Sequence, residues 1–285
     1  MTISAGTRLA AVIGSPIRHS LSPVIHNAAF AATGAGWVFV ALEVAPGAGA
    51  AAVDAMRVLG IDGLAVTTPH KEAVAGAVDD VDPAAAALGS VNTVVLRDGV
   101  THGYSTDGAG FVESLRAAGH DPSGAHVAVV GAGAATRSVI DAIDRAGVGR
   151  IVVINRSADT AARAAALSTL ASVADPASIA LADLVVNATS VGMGTDEAPF
   201  DVTLLHRHQV VADLVYHPLD TALLRAAAEV GAATVDGLGM LVHQAVLQQH
   251  LWTGHRPDPT PLRHTALTEL SARIGATEPI SADSS

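Results

Sequence analysis

The side chains best suited to chemistry lie in the first half of the chain. Lys71 stands just past a predicted strand, behind Pro69, which fixes the turn. Asn92 lies at the start of another predicted strand, and Asp107 opens a predicted helix. Lysine and aspartate are residue types that transfer protons in enzymes, and an asparagine amide can both donate and accept hydrogen bonds. Taken singly, each of them also suits a solvated surface, a turn or a helix cap.

Two hydroxyl groups stand two residues apart in the segment His19-Ser20-Leu21-Ser22-Pro23. We expect a helix to begin here, because serine caps helices and proline fits the first helical position. Ser22 is then the predicted N-cap, and Ser20 could cap a turn. The alternative is that these hydroxyls bind a ligand.

A glycine-rich turn, Gly131-Ala132-Gly133-Ala134-Ala135-Thr136, lies in the middle of the chain. The apolar run 126–130 before it is typical of a buried parallel strand, and residues 137–146 after it have helical periodicity. Small residues at such a junction let main-chain N–H groups reach the pyrophosphate of a dinucleotide. Thr136 replaces the usual third glycine, and a purely structural turn is the alternative. About 125 residues precede the turn, which is enough for a substrate domain.

The end of the next predicted strand, 151–154, indicates which dinucleotide binds. It continues into Asn155-Arg156-Ser157, with no acidic residue at the tip. In such folds an acidic residue here binds the ribose of NAD, whereas an arginine suits the 2′-phosphate of NADP. A charge-assisted hydrogen bond of about 1.5–3 kcal/mol would favour NADP by roughly 10- to 150-fold. The alternative is that Arg156 only caps a surface turn, and Asp159 nearby weakens the preference.

Composition excludes several classes of protein. The net charge of −11 argues against nucleic acid or an anionic membrane surface as a partner. The absence of cysteine excludes disulfides, iron–sulfur clusters and thiolate zinc sites. The 13 histidines show no His-Glu-x-x-His spacing, so no metal site is expected. No apolar run approaches about 18 to 20 residues, and residues 9–16 are typical of a strand and turn rather than a signal peptide. We expect a soluble, cytoplasmic protein.

Predicted strands and helices alternate along almost the whole chain, which indicates mostly parallel sheets with helices on their faces. The turn Arg97-Asp98-Gly99 predicts a hairpin, and the break at 121–124 separates two halves. The predicted strands are 9–13, 37–44, 64–67, 91–96, 100–104, 127–130, 151–154, 184–187, 210–214 and 234–235. The main predicted helices begin at Ser22 and Asp82 or span 48–59, 107–119, 137–146, 239–252 and 261–274.

These elements predict an α/β protein with an N-terminal mixed α/β substrate domain and a doubly wound, Rossmann-type NADP-binding domain. The expected division is 1–106 for the substrate domain and 107–237 for the dinucleotide domain. No predicted strand follows the second domain, so we expect the helices of 238–276 to pack back on the substrate domain. Residues 277–285 are small and polar, and a disordered tail is expected there.

Eight motifs occur in the order and spacing found in shikimate dehydrogenases, and together they span about residues 9 to 255. The chain therefore resembles the shikimate/quinate dehydrogenase family. The motifs are Ser20-Leu21-Ser22-Pro23, Val66-Thr67-Thr68-Pro69-His70-Lys71, Gly89-Ser90-Val91-Asn92-Thr93, Ser105-Thr106-Asp107-Gly108, Gly131-Ala132-Gly133, Asn155-Arg156-Ser157, the segment 187–193 and the segment 237–244.

The resemblance implies a role for each matching residue. It implies that Lys71 is a general acid and base assisted by Asp107. It implies that the substrate is bound by Ser20, Ser22, Thr67, Asn92, Tyr216 and Gln244. It implies that the cofactor is bound by Gly131, Ala132, Gly133, Ala134, Ala135, Asn155, Arg156, Ser157, Thr189, Ser190, Leu214, Gly237 and Met240. The family often has Asn or Ser where this chain has Ala65, and a second basic residue where it has Asp159 and Thr160.

The activity implied by the resemblance is the reversible NADPH-dependent reduction of 3-dehydroshikimate to shikimate. One alternative is a quinate/shikimate dehydrogenase that uses NAD. An alternative of another class is a nucleotide-binding sensor that keeps the fold without turnover. The expected partner is a small-molecule substrate, with no nucleic acid, no membrane and no metal, and the expected state is a monomer or homodimer.

Overall fold

The computed structural model describes residues 3–277, and within that range it contains two six-stranded sheets. The strands are β1 (Arg8–Gly14), β2 (Trp37–Glu43), β3 (Gly63–Val66), β4 (Asp80–Val81), β5 (Thr93–Arg97), β6 (Val100–Tyr104), β7 (His126–Val130), β8 (Arg150–Ile154), β9 (Ala171–Val173), β10 (Leu184–Asn187), β11 (Val210–Asp213) and β12 (Ala233–Val235). The helices are α1 (Ser22–Thr33), α2 (Gly49–Leu59), α3 (Lys71–Ala75), α4 (Pro83–Leu88), α5 (Asp107–Ala117), α6 (Ala134–Arg145), α7 (Ala158–Ala165), α8 (Ala222–Glu229), α9 (Gly237–Thr253) and α10 (Pro259–Thr277).

The first sheet is mixed, with the strand order β2-β1-β3-β5-β6-β4. Strand β1 runs parallel to β2 and β3, whereas β5 is antiparallel to both β3 and β6. The predicted hairpin between β5 and β6 is present. Its turn residues Asp98 and Gly99 have φ of 50° and 82°, and positive φ at both central positions matches the twist of paired strands.

The second sheet is parallel throughout, with the order β12-β11-β10-β7-β8-β9. Strand β7 is buried on both faces. Val127 and Val129 pack into the core on one side, and Ala128 and Val130 pack into the core on the other. The chain adds β8 and β9 on one side of β7, and then β10, β11 and β12 on the other side. In doubly wound sheets, ligands bind at the carboxyl ends of the strands where the order switches in this way. The predicted α/β class with a Rossmann-type second sheet is confirmed.

Helices α9 and α10 pack against the first half of the chain. Leu21, Ile25 and Ala29 of the α1 region form a buried cluster with Leu238, Val242, Ala245, Val246, Leu262, Ala266 and Leu270. None of the helices in residues 3–277 is long and apolar enough to cross a membrane. Thr277 ends α10 in helical conformation, whereas the rest of the predicted tail, 278–285, lies outside the described residues.

Two further local predictions are wrong, and two short strands have no counterpart among the predicted elements. Ser22 is not the N-cap of α1: Leu21 precedes the helix, and the Ser20 Oγ accepts a hydrogen bond from the Ser22 N–H at 3.2 Å. Helix α6 begins at Ala134, three residues before the predicted start, because the small residues of the turn already adopt helical conformation. The short strands β4 and β9 were not predicted, since two or three residues are too few to show a strand pattern.

Candidate active site between the two sheets

A cleft with a volume of about 350 Å³ opens at the carboxyl ends of strands from both sheets. It brings together predicted residues that are more than 200 positions apart in the chain. The predicted residues that line it are Ser20, Ser22, Thr67, Lys71, Asn92, Asp107, Ala135, Thr189, Ser190, Leu214, Tyr216, Gly237, Met240 and Gln244. A second cavity of about 640 Å³ adjoins it and shares His19, Met193 and Tyr216 with it.

Lys71 and Asp107 form an ion pair in this cleft. Lys71 is the first residue of α3, Asp107 is the first residue of α5, and their Nζ and Oδ2 atoms are 2.5 Å apart. The two side chains are only 16% and 13% exposed, so water screens their attraction less than on an open surface. Asp107 also lies at a helix N-terminus, where the helix dipole stabilises a carboxylate. The arrangement holds a proton donor at a fixed place in the cleft.

Asn92 holds the other oxygen of Asp107. Its Nδ2 donates to Asp107 Oδ1 at 2.8 Å and to Thr106 Oγ1 at 2.9 Å. Its Oδ1 accepts the main-chain N–H of Thr106 at 2.8 Å. Both hydrogens of the Asn92 amide are thus engaged inside the protein. Asn92 therefore orients Asp107, in addition to the substrate contact that the resemblance implies.

Glycines in α5 let three helices meet behind Asp107. A Cβ at Gly108 would lie 2.0 Å from the carbonyl oxygen of Ser138 in α6. A Cβ at Gly110 would lie 2.6 Å from the main-chain nitrogen of Gln244 in α9. Real side chains never approach so closely, so only glycine fits at either position. The close contact fixes Gln244 relative to Asp107.

Hydroxyl groups line the substrate side of the cleft, which is formed by Ser20, Ser22, Thr67 and Tyr216. Tyr216 follows the end of β11 from the opposite sheet, and burial raises the pKa of its phenol. A neutral phenol and three aliphatic hydroxyls can all donate hydrogen bonds to a carboxylate or accept them from substrate hydroxyls. This wall therefore suits a small polyhydroxylated acid.

The turn between β7 and α6 has the shape needed for a pyrophosphate. Gly131 has a φ of 117°, and a Cβ there would lie 3.0 Å from the carbonyl oxygen of Ala188. Gly133 precedes α6 and provides no side-chain cap, so the helix N-terminus can bind an anion. Thr136 is fully buried, and its hydroxyl has no hydrogen-bond partner among the described residues. These residues fit a dinucleotide phosphate group.

The segment that leads from this turn into the cleft is held by Asn187. Its Oδ1 accepts hydrogen bonds from the Thr189 N–H at 3.0 Å and the Thr189 hydroxyl at 2.7 Å. Its Nδ2 donates to the buried Asp213 at 2.9 Å, and burial raises the pKa of that carboxyl. A Cβ at Gly237 would lie 2.4 Å from the carbonyl oxygen of Leu214. Thr189, Leu214 and Gly237 therefore form a rigid wall on the nucleotide side.

The other predicted cofactor residues lie outside the cleft, at the carboxyl ends of β7 and β8 in the second sheet. They are Gly131, Ala132, Gly133 and Ala134 after β7, and Asn155, Arg156 and Ser157 after the neighbouring β8. Ser157 caps α7, with its Oγ accepting from the Thr160 N–H at 3.5 Å. Arg156 is exposed and makes no hydrogen bond or ion pair within residues 3–277. The alternative that Arg156 only caps a surface turn is therefore wrong. Its guanidinium is accessible to a ligand.

Several residues of the cleft were not predicted, among them His19, Met193 and Gln248. Gln248 lies four residues after Gln244, on the same face of α9. That spacing could have identified it. His19 and Met193 carry no such signal, because only the folded chain brings their loops together.

A parallel sheet with a helix N-terminus for phosphate, facing a cleft with a lysine–carboxylate pair, defines a two-domain dehydrogenase that uses a nicotinamide dinucleotide. Family comparison narrows this class. Residues 12–94 match the shikimate dehydrogenase substrate binding domain, and residues 237–267 match the shikimate 5′-dehydrogenase C-terminal domain. A shikimate dehydrogenase (NADP+) from Symbiobacterium thermophilum is 44% identical, over 93% of this chain and 96% of the relative. The chain belongs to the shikimate dehydrogenase family.

Solved structures agree with this assignment. The shikimate 5-dehydrogenase of Thermus thermophilus in complex with NADP(H) and shikimate has a TM-score of 0.88 and 35% identity, covering 92% of this chain and 99% of that one. The quinate dehydrogenase of Corynebacterium glutamicum in complex with NAD has a TM-score of 0.85 and 34% identity, covering 92% and 99%. Fold similarity alone thus does not separate the two cofactors or the two substrates.

Proposed function

We propose that the protein catalyses the reversible NADPH-dependent reduction of 3-dehydroshikimate to shikimate. The observation that carries the proposal is the Lys71–Asp107 pair in a cleft whose two walls come from the two sheets. Membership of the family supports the same reaction, because the relatives are NADP-dependent shikimate dehydrogenases.

Lys71 is the proton donor in this proposal. When bound, the cofactor supplies a hydride to the ketone carbon, and negative charge develops on the ketone oxygen. The Lys71 ammonium donates a proton to that oxygen, which yields the alcohol, and its amine accepts the proton in the reverse direction. Asp107 pairs with the ammonium and holds Nζ in place. Charge is balanced because one hydride and one proton are added to the ketone.

The remaining polar side chains of the cleft position the substrate. Ser20 and Ser22 bind its carboxylate, and Thr67, Asn92, Tyr216 and Gln244 contact its ring hydroxyls. The support for these assignments is that all six line one cleft with Lys71. Ala65 also lines it, and its methyl group leaves one wall without a polar contact.

The cofactor in this proposal is NADP, and the turn 131–135 would hold its pyrophosphate. Arg156 would bind the 2′-phosphate, together with Asn155. The support is that the Arg156 guanidinium, just after the end of β8, is exposed and has no partner within residues 3–277. Arg156→Ala should raise the KM for NADPH about 10-fold, as expected for a lost charge-assisted hydrogen bond, and leave the KM for NADH unchanged. An equal change for both cofactors would contradict this assignment.

The deciding experiment measures kcat/KM for shikimate and quinate, each with NADP+ and NAD+. Shikimate with NADP+ should be the preferred pair. Preference for quinate with NAD+ would replace the proposal with the second candidate, which the similarity to quinate dehydrogenase favours. Binding of NADPH without turnover of any pair would favour the non-catalytic sensor instead.

We also propose a cytoplasmic monomer or homodimer. The support for the small assembly is that a single chain provides both walls of the cleft. Sedimentation velocity at assay concentration measures the assembly, and a stable higher oligomer would contradict this part of the proposal. Fractionation of the source cells tests the location.

A further inference from the structure

A buried histidine, His26, lies behind the catalytic pair and outside the cleft. It belongs to α1, is fully buried, and stacks on Phe39 with ring centroids 4.3 Å apart. Its Nδ1 is 3.0 Å from Gln249 Nε2, and its Nε2 is 3.1 Å from Gln248 Oε1. Both ring nitrogens are therefore occupied by amide groups of α9. Burial lowers the pKa of His26 to about 3, so the ring is neutral and carries one proton.

Main-chain carbonyl groups determine which ring nitrogen carries that proton. Gln249 Nε2 also lies 3.3 Å from the carbonyl oxygen of His26, which can only accept, so this atom must be the amide nitrogen. Gln248 Nε2 lies 3.2 Å from the carbonyl oxygen of Asn92, and the same reasoning applies. Nδ1 of His26 is then an acceptor, and its Nε2–H donates to Gln248.

The orientation of the Gln248 amide sets the direction of the hydrogen bonds from Gln248 to Thr93 and from Thr93 to Asn92. Gln248 Nε2 donates to Thr93 Oγ1 at 3.0 Å, and the Thr93 hydroxyl donates to Asn92 Oδ1 at 2.8 Å. Asn92 Oδ1 also accepts the Thr106 N–H, so the Asn92 amide cannot be reversed. Its NH2 group must then face Asp107. One chain of hydrogen bonds runs from His26 to the carboxylate that holds Lys71.

We propose that His26, Gln248 and Thr93 are positioning residues for the reaction, acting through Asn92 to hold Asp107 against Lys71. The proposal rests on the proposed function for Lys71. It differs from a purely structural role because this series of hydrogen bonds ends on the carboxylate that pairs with Lys71. Loss of any one of these three side chains should change the Lys71–Asp107 geometry, and not only the stability of the fold.

Thr93 offers the sharpest test, because neither Thr93 nor His26 is among the described residues that line the cleft. Thr93→Val keeps the shape and removes the hydroxyl, whereas Thr93→Ser keeps the hydroxyl and removes a methyl group. We expect Thr93→Val to lower kcat about 5- to 10-fold, the value of one net hydrogen bond, with the KM for NADPH unchanged. Thr93→Ser should retain most of the activity. Equal losses in the two variants would overturn the proposal.

His26→Phe and Gln249→Leu form a second matched pair. Both remove buried polar contacts of the same ring, but only His26→Phe removes the donor to Gln248. We expect His26→Phe to lower kcat by a similar 5- to 10-fold, and Gln249→Leu to leave kcat unchanged while lowering the melting temperature. An unchanged kcat in His26→Phe, or equal losses in both variants, would overturn the proposal.

A measurement without substrate separates this proposal from the proposed function. Lys71 is the only lysine in the sequence, so protein labelled with [15N]lysine has a single Nζ resonance. That resonance should shift in Thr93→Val and His26→Phe and stay in place in Gln249→Leu. An unchanged resonance in the first two variants would overturn the proposal. Failure of the wild type to turn over shikimate would overturn the proposed function alone.

Discussion

At the scale of single residues, the site depends on groups that restrict one another. Lys71 and Asp107 begin two helices and meet across the cleft, and Asn92 uses both amide hydrogens to fix the carboxylate. The proposed proton donor, Lys71, is thus held by groups that have no part in the proposed proton transfer.

Replacement of Lys71 by alanine should lower kcat by roughly 10²- to 10⁴-fold, as expected for a lost general acid and base. The KM for NADPH should change little, because Lys71 lies on the substrate side of the cleft. Stopped-flow and steady-state assays with 3-dehydroshikimate and NADPH measure the rate and the KM, and NADPH fluorescence checks that the variant still binds cofactor. Near-normal turnover would remove Lys71 from the mechanism.

His26 should make the protein less stable in acid. Its pKa is about 3 in the folded protein and has the ordinary value of 6.5 when exposed, so below pH 6.5 the unfolded chain binds a proton that the folded protein does not. The free energy of unfolding should then fall by about 1.4 kcal/mol per pH unit between pH 6.5 and 3. Urea unfolding at pH 7.5 and 5 measures this fall. His26→Phe should lack about 2 kcal/mol of it, and an equal fall in both proteins would contradict the prediction.

At the scale of elements, strand and turn patterns in the sequence predict most of the architecture. The apolar runs of β7, β8 and β10 lie within one residue of their observed bounds, because strands buried on both faces contain almost nothing but apolar residues. Two-residue β4 shows no pattern of its own and pairs only because β6 lies beside it. The sequence around Ser22 is typical of a helix N-cap. In the structure Ser22 is instead the first residue of α1, and it lines the cleft.

In the candidate site too, sequence patterns predict only part of what the structure contains. Ordered motifs identify the residues at the ends of strands, such as Lys71 and Arg156, since a motif includes its own neighbours in the chain. They do not identify His26, Gln248 or Thr93 as a group, because their hydrogen bonds join positions up to 222 residues apart. Only the packing of α9 against both α1 and β5 brings these groups together.

The glycines of α5 lead to a prediction at this scale. Gly110→Ala would gain about 1 kcal/mol of helix propensity, but the new methyl group would lie 2.6 Å from the main chain of α9. Overpacking of this kind costs about 1–3 kcal/mol, so we expect a net loss of stability. The KM for shikimate should rise more than the KM for NADPH, because Gln244 moves.

Gly36→Ala is the matched control for this substitution. A Cβ at Gly36 would meet nothing within 4 Å, so its free energy of unfolding should change by less than about 0.5 kcal/mol. Thermal unfolding and steady-state kinetics measure both variants. A Gly110→Ala protein as stable and active as Gly36→Ala would contradict the close packing of α5 and α9.

At the scale of the whole molecule, one ion pair joins α3, which begins at Lys71, to α6, which follows the glycine-rich turn proposed to bind the pyrophosphate. Arg137 of α6 donates to Glu72 of α3 at 2.6 Å. Arg137 lies in the first turn of α6, where an added positive charge favours a bound pyrophosphate. Glu72 places a negative charge beside that site and pairs with its arginine.

Glu72→Gln should therefore tighten cofactor binding. We expect the Kd of NADPH to fall about 2- to 5-fold at low ionic strength, in keeping with the value of an exposed ion pair, and the difference to shrink at roughly 0.5 M salt, because salt screens it. Isothermal titration calorimetry measures both. Glu43→Gln, which breaks the exposed pair with Arg18, is the control and should leave the Kd unchanged. Equal affinities in all three proteins would contradict the prediction.

Helix α9 is fixed at both of its ends. At its start, the main chain of Gly237 packs closely against the main chain of Leu214, beside the second sheet. Near its end, the indole N–H of Trp252 donates to the carbonyl oxygen of Val94 in the first sheet at 3.0 Å. At about 1.5 Å per residue, its 17 residues make a rod of about 25 Å. The two sheets cannot move straight apart without bending this rod. We therefore expect the cleft to open and close as a hinge does, by rotation about the axis of α9, with Gln244 close to the axis and the cleft rim travelling farthest.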